Sequence, residues 1–341
     1  MSKIVYLLGA GASYGERDEQ KIILRGVPIV SEISDTIKQV ILYIKAGHYN
    51  NLSKNDYNQN DQERVISELN WLEERCKDYP TIDTYARLLY VSGDINNYNK
   101  LKRALSVFLL LIQEVNKRDL RYDGFIASLI NDNGLLPDIS LLSWNYDAQF
   151  EFAYSGYVDQ NNRKMLQIWK YLGILHKNIP LQTTQVNKFS ITKLNGTAFS
   201  FINNNQMLDI FFNHQGQSLV NLSSLMLSEI GNIQSGLSFA WEKEEKDKNR
   251  KNQTFIEQVQ TKTDDAEVLV VIGYSFPYVN KEIDKKILDS MQNLKKIYIQ
   301  DPNADEIKES LLARLYPKKE TDYEWMLSTN TRQFIIPNEL T

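Results

Sequence analysis

Cysteine and histidine are almost missing from this chain: Cys76 stands alone, and His48, His176 and His214 are the only imidazoles in 341 residues. One thiol excludes an internal disulfide, and no Cys/His spacing suits tetrahedral zinc, so no metal centre is expected. An excess of positive charge is also missing. Lys and Arg number 39 against 43 Asp and Glu, a formal net charge of −4. Nucleic acids and acidic membrane surfaces are bound through clustered cations, so neither partner is expected. Long apolar runs are absent too: the longest, residues 104–112, is interrupted by Ser106 and falls far short of the ~20 residues that span a bilayer. Lys3 to Leu8 is too short for a signal peptide and leads into glycines, so the expected location is cytoplasmic. No 20- to 50-residue period recurs, which excludes a solenoid.

What is present is a series of short apolar runs, each ending in small or polar residues. Residues 3–8 lead into Gly9-Ala10-Gly11-Ala12-Ser13, 139–144 into Asn145-Tyr146-Asp147, and 189–194 into Asn195-Gly196-Thr197. Residues 268–272 lead into Gly273-Tyr274-Ser275, and 297–300 into Asp301-Pro302-Asn303. Apolar runs of this length separated by helical periodicity predict an α/β fold, a Rossmann-like parallel sheet with helices on both faces. Between the first and second runs the pattern turns helical from Gln62 to Asp132, after a polar stretch, Asn50 to Asp61, that reads as a loop. The domains expected are therefore a Rossmann-like unit of residues 1–45 and 133–341 and a mainly α-helical insertion of residues 46–132. Ser31 is the expected N-cap of the helix after Pro28. Leu101, Ala104, Leu105, Phe108, Leu109 and Ile112 form an apolar face that is either core or a surface for another subunit. Cys76 continues the helical stripe Val65, Leu69, Leu72, which reads as a buried thiol. His48 reads as a helix C-cap, and His176 and His214 as structural histidines rather than bases.

Ligands of open parallel sheets bind beyond the carboxyl ends of the strands, so the residues closing each run are the candidate site. Gly9, Ala10, Gly11 and Ser13 either let a ligand approach the backbone, with helix-start amides facing a pyrophosphate, or merely pack tightly. Asn145 and Asp147 are either ligand groups or turn formers capping a helix. Asp301 is either a ribose ligand or part of an ordinary Asp-Pro turn.

Seven pieces, in this order along the chain, resemble the sirtuin-like family, specifically its bacterial NAD-consuming branch associated with defence against phage. They are Gly9-Ala10-Gly11-Ala12-Ser13, Arg25-Gly26-Val27-Pro28, Ile82-Asp83-Thr84-Tyr85, Asn145-Tyr146-Asp147, Lys193-Leu194-Asn195-Gly196, Gly273-Tyr274-Ser275 and Asp301-Pro302-Asn303. The resemblance implies an NAD glycohydrolase releasing nicotinamide and ADP-ribose. Gly9, Ala10, Gly11 and Ser13 would hold the pyrophosphate, and Gly273, Ser275 and Asp301 the adenosine end. Asn145 would orient ribose or water, and Asp147 would stabilise developing positive charge. It also implies a gated enzyme, a homo-oligomer or a subunit bound to a sensor or effector protein. The family's deacylases carry a four-cysteine zinc module, which cannot be built here. The chain departs from the family at Asn195, the third candidate catalytic position, where the family has a histidine base. An amide cannot hold a proton near neutral pH. The alternative function is therefore a weakly active or inactive sensor of NAD or an ADP-ribose-type nucleotide.

Overall fold

The computed structural model describes residues 3–49, 58–132, 134, 136–158, 164–177, 189–203, 206–208, 218–228, 233–243 and 253–340. The apolar runs form β1 (Ile4–Leu8), β4 (Ile139–Ser143), β6 (Ser190–Lys193), β10 (Val268–Ile272) and β11 (Lys296–Gln300). With β5 (Ile174–His176) and β12 (Glu324–Ser328) they make a seven-stranded sheet of order β12-β11-β10-β1-β4-β6-β5. Every pairing in it is parallel. A hairpin, β2 (Glu16–Arg17) with β3 (Ile23–Arg25), follows β1; a three-stranded antiparallel sheet, β7 (Gly196–Asn203), β8 (Gln206–Leu208) and β9 (Gln234–Leu237), follows β6.

Strands buried on both faces are apolar throughout, because successive side chains point to opposite sides. Ile4, Tyr6 and Leu8 enter one core with Ile139, Leu141, Val268 and Val270. Val5 and Leu7 enter the other with Leu142, Leu269 and Val271. The first core is closed by α1 (Ile33–Lys45), α2 (Gln59–Asp78), α3 (Ile82–Ser92), α4 (Ile95–Val115), α5 (Leu120–Leu129), α6 (Gln149–Ser155), α7 (Met165–Tyr171) and α8 (Leu219–Leu227). The second is closed by α9 (Phe255–Thr263), α10 (Lys281–Ser290) and α11 (Ala304–Leu315). The chain is thus an α/β protein of Rossmann-like architecture, with α2 to α5 lying between α1 and β4 in sequence.

Three local expectations change. Ser31 lies inside a short 3-10 turn, Val30–Glu32, and α1 starts at Ile33. The Glu32 carboxylate caps the 3-10 turn, accepting from the Ile29 amide at 3.1 Å, and pairs with Arg17 at 2.8 Å. Helix α2 begins at Gln59, inside the stretch expected as loop, because Asn58 caps it by accepting from the Asn60 amide at 3.0 Å. Helix α4 has no free apolar face: Ser106, Val107, Leu110 and Leu111 are buried along with the expected stripe. Residues 104–113 are buried on every side and belong to the core, so the subunit-surface reading of this stripe falls.

The minor readings resolve similarly. His48 closes α1 through its backbone, its amide reaching Tyr43 O at 3.1 Å beyond a left-handed Gly47. His176 is buried on β5 against Trp169, with ring centroids 5.8 Å apart; His214 lies outside the described residues. Cys76 packs against the first core, and burial, with a smaller push from Glu73, raises its thiol to about 12. It is no nucleophile at neutral pH. Among the described residues no helix is long and apolar enough to cross a membrane.

Candidate functional site

The sheet register sets the site. His176, Lys193, Ser143, Leu8, Ile272, Gln300 and Ser328 lie in one row across all seven strands. Every candidate residue lies one to five positions beyond that row, so Gly9 to Ser13, Asn145, Asp147, Asn195, Gly273, Ser275 and Asp301 emerge from the same edge. The strand order reverses between β1 and β10, and that is where a crevice opens in a doubly wound sheet.

The glycines there are required first by backbone packing. A Cβ on Gly9 would lie 2.5 Å from Gly273 O, and one on Gly11 2.8 Å from Gly273 Cα. Gly273 has a φ of +59°, and its Cβ would fall 2.4 Å from the Ala12 amide nitrogen. The turn after β1 is a single 3-10 turn, Ala10–Ser13, and the chain then enters the β2–β3 hairpin. No long helix follows to aim its amides at a pyrophosphate. Gly9 N donates to Ile272 O at 3.0 Å, Gly11 N to Gly273 O at 2.9 Å and Ala12 N to Gly9 O at 2.9 Å. Three amides of the turn are therefore engaged internally, and a 3-10 turn stands where the helix start was expected. Arg25-Gly26-Val27 folds back on the same turn, with Val27 N donating to Ser13 O at 2.9 Å.

Asn145 holds this turn from behind. Its Nδ2 donates to Gly9 O at 2.9 Å and to Ser13 Oγ at 3.0 Å, and Ser13 Oγ in turn meets Tyr122 Oη at 2.6 Å. Asp147 is buried and forms a local turn, Oδ1 accepting from the Gln149 amide at 3.1 Å. Its carbonyl accepts from Lys193 Nζ at 2.7 Å, while that ammonium pairs with Glu151 at 3.3 Å, both side chains essentially fully buried. Burial raises the Glu151 carboxyl, with Lys193 pulling the other way. Asn195 bridges two strand ends and a loop: Nδ2 donates to Trp144 O at 3.3 Å and Tyr146 Oη at 3.4 Å, and Oδ1 accepts from the Ala240 amide at 3.2 Å. Tyr146 Oη donates to Asp83, joining the Ile82–Tyr85 piece to this group.

In front of the turn lies a cleft of about 1310 Å³. Ala10, Gly11, Gly273, Ser275 and Asp301 line it, whereas Gly9, Ser13, Asn145, Asp147 and Asn195 do not. The expected site thus divides into a wall and a layer of ties behind it.

No protein-family model matches the chain, and no curated protein matches it significantly.

Several residues of the cleft escaped the sequence reading. Arg121 rises from the first turn of α5, paired with the N-cap Asp119 at 2.6 Å, and donates to Ala12 O at 3.0 Å. Gln300 fastens the C-terminal segment, its Nε2 donating to Asn330 O and Gln333 O, both at 2.6 Å. Phe334 of that segment packs on Tyr122 and Phe125 and lines the cleft. Under the Gly273–Phe276 loop, Tyr274 Oη donates to Asp284 at 3.0 Å and Arg314 Nη2 donates to Phe276 O at 2.7 Å. Burial raises the Asp284 carboxyl to about 7, opposed by the Tyr274 hydrogen bond and Arg314. Asp-Leu-Arg at a helix start is the sequence cue to Arg121, and Gln300 and Tyr274 stand in the strand-end segments, whereas Phe334, Asp284 and Arg314 have no cue. Among the described residues no group of three or more His, Cys, Asp or Glu side chains could hold a metal ion.

Proposed function

We propose that this chain binds NAD, or an ADP-ribosyl nucleotide built like it, in the cleft beyond β1, β10 and β11, and acts on it as a slow NAD glycohydrolase. The observation that supports binding is that Ala10 and Gly11, Gly273 and Ser275, and Asp301, from three separate strand ends, share one cleft wall at the reversal of strand order. Its volume of about 1310 Å³ leaves room for an extended dinucleotide, being above the ~300–1,000 Å³ typical of small-molecule pockets. The cleavage half rests on the sirtuin-like resemblance. Positively charged nicotinamide is already a good leaving group, so loss of a base at position 195 forfeits the ~100- to 10,000-fold typical of general-base catalysis without abolishing the reaction. Unchecked NAD cleavage is harmful to a cell, and the same resemblance supports gating by a second copy or by a sensor or effector protein.

A second reading, a nucleotide sensor without turnover, is favoured by one observation: both ends of the Asn195 amide and the Nδ2 of Asn145 are engaged by protein atoms. Calorimetry with NAD and ADP-ribose, run beside nicotinamide-release measurements with and without the sensor or effector protein that the resemblance implies, decides. Binding with release supports the enzyme, and binding without release in either condition supports the sensor. No affinity for either nucleotide overturns both.

A further inference from the structure

The amides of Gly9, Gly11 and Ala12 donate within the fold, so these three are not free to hold a diphosphate in the cleft. Among the described residues two guanidiniums line the cleft, Arg121 and Arg332. Arg332 is exposed, and its field is screened by solvent; the Arg121 side chain is only 12% exposed. Arg121 is also fixed in place. Asp119 accepts from its Nε at 2.9 Å and its Nη2 at 2.6 Å, and Nη2 reaches the turn carbonyls of Gly11 and Ala12. Nη1 makes one hydrogen bond, to Thr331 O at 3.3 Å, and its second proton has no acceptor among the described residues. The guanidinium lies 5.3 Å from the Phe334 ring centroid.

We infer that Arg121, through Nη1, is the diphosphate-binding residue of this cleft, in place of the glycine-turn amides. The inference rests on the nucleotide reading above. It also narrows the ligand. Asp301 and Glu306 line the cleft beyond the end of β11 as acceptors suited to hydroxyls and repel bare polyphosphate. The match is a nucleoside diphosphate, its ribose toward these acids and its phosphates toward Arg121.

The test compares ADP with adenosine by calorimetry on the full chain. Wild type is expected to prefer ADP, and Arg121→Gln to lose on the order of 10- to 100-fold of that preference with adenosine affinity retained, as for a lost hydrogen bond to a charged group. Asp119→Asn, which keeps a capping side chain while removing the carboxylate that competes for the guanidinium, is expected to raise the preference for ADP severalfold. That gain is opposite to what damage to the fold would produce, so it decides even if Arg121→Gln does not fold. Equal losses of ADP and adenosine affinity in Arg121→Gln, or an unchanged or lower ADP preference in Asp119→Asn, overturn the inference and leave Arg121 a staple of the turn. Wild type that binds neither ligand overturns the nucleotide reading itself.

Discussion

Asn195→Ala is expected to destabilise the protein whatever it does to turnover. The side chain is 5% exposed and ties three partners: Trp144 O at 3.3 Å, Tyr146 Oη at 3.4 Å and the Ala240 amide at 3.2 Å. Tyr146 keeps Asp83 as a partner, so its loss is small. The other two are main-chain groups of buried residues, and an orphaned buried donor or acceptor costs about 1–3 kcal/mol. The Trp144 bond is long, which places it at the low end. Together they set an expected loss of about 2–4 kcal/mol, again from the cost of unmade buried hydrogen bonds. Urea unfolding followed by tryptophan fluorescence measures it, and Asn195→Asp supplies the control. Aspartate still accepts from the Ala240 amide but cannot donate to Trp144 O, and it buries a charge, so it should be no more stable than the alanine variant. A wild-type midpoint in Asn195→Ala, with nicotinamide release abolished, would refute this reasoning and move Asn195 from the scaffold into the chemistry.

Gly273→Ala should cost more than Gly93→Ala although both glycines are left-handed. At Gly93, φ +76°, a Cβ meets nothing within 4 Å, so only the left-handed backbone term of about 1–2 kcal/mol applies. At Gly273 the Cβ also overlaps the Ala12 nitrogen at 2.4 Å, adding about 1–3 kcal/mol of overpacking; equal urea midpoints for the two variants would remove close packing as the reason for that glycine. Asp284 should make stability depend on pH. Its carboxyl ionises near 7 in the folded protein instead of near the usual 3.8, because it is buried, so between those values the folded state holds a proton that the unfolded state has released. Stability should therefore fall as pH rises from about 4 to about 7 and level off above. Asp284→Asn cannot ionise and should lack that part of the slope, and parallel unfolding profiles for wild type and variant would rule the effect out.

The sheet was legible because each central strand is a run of four or five buried residues ended by Gly, Asn or Asp, a pattern that a parallel sheet imposes and little else shares. Legible too was the edge on which the candidate residues gather, since each follows its run directly. The occupants of the space beside them were hidden. Gly9, Gly11 and Gly273 mark a place where backbone comes close, but sequence does not say whether a ligand or another strand's turn comes close; here the turns after β1 and β10 meet each other. Asn145 and Asp147 mark a strand end, and their partners, Gly9 O, Ser13 and Lys193, lie 46 to 136 residues away. Arg121 reaches its turn carbonyls from 109 and 110 residues away. Helix α4 showed one apolar stripe because Ser106 and Gln113 interrupt the rest, yet both are buried and hydrogen-bonded, to Ser235 and to Leu109 O.

The division into a wall and a layer of ties changes what a loss of activity would mean. Gly9 O is held by Asn145 and lies one residue from Ala10 in the cleft wall. A change at Asn145 shifts that wall without removing any atom from it. The same holds for Lys193, whose ammonium fixes the Asp147 carbonyl, and for Asn195, which fixes Trp144 next to Asn145. A displacement of about 1 Å far from the reacting atoms can lower turnover ~100-fold, as much as losing a catalytic group. Turnover alone therefore cannot assign chemistry to these three residues. Ligand affinity can: a positioning residue alters the wall in the absence of any reaction, so its substitution weakens ADP-ribose binding as well as cleavage. A group that acts only on the transition state leaves product affinity unchanged.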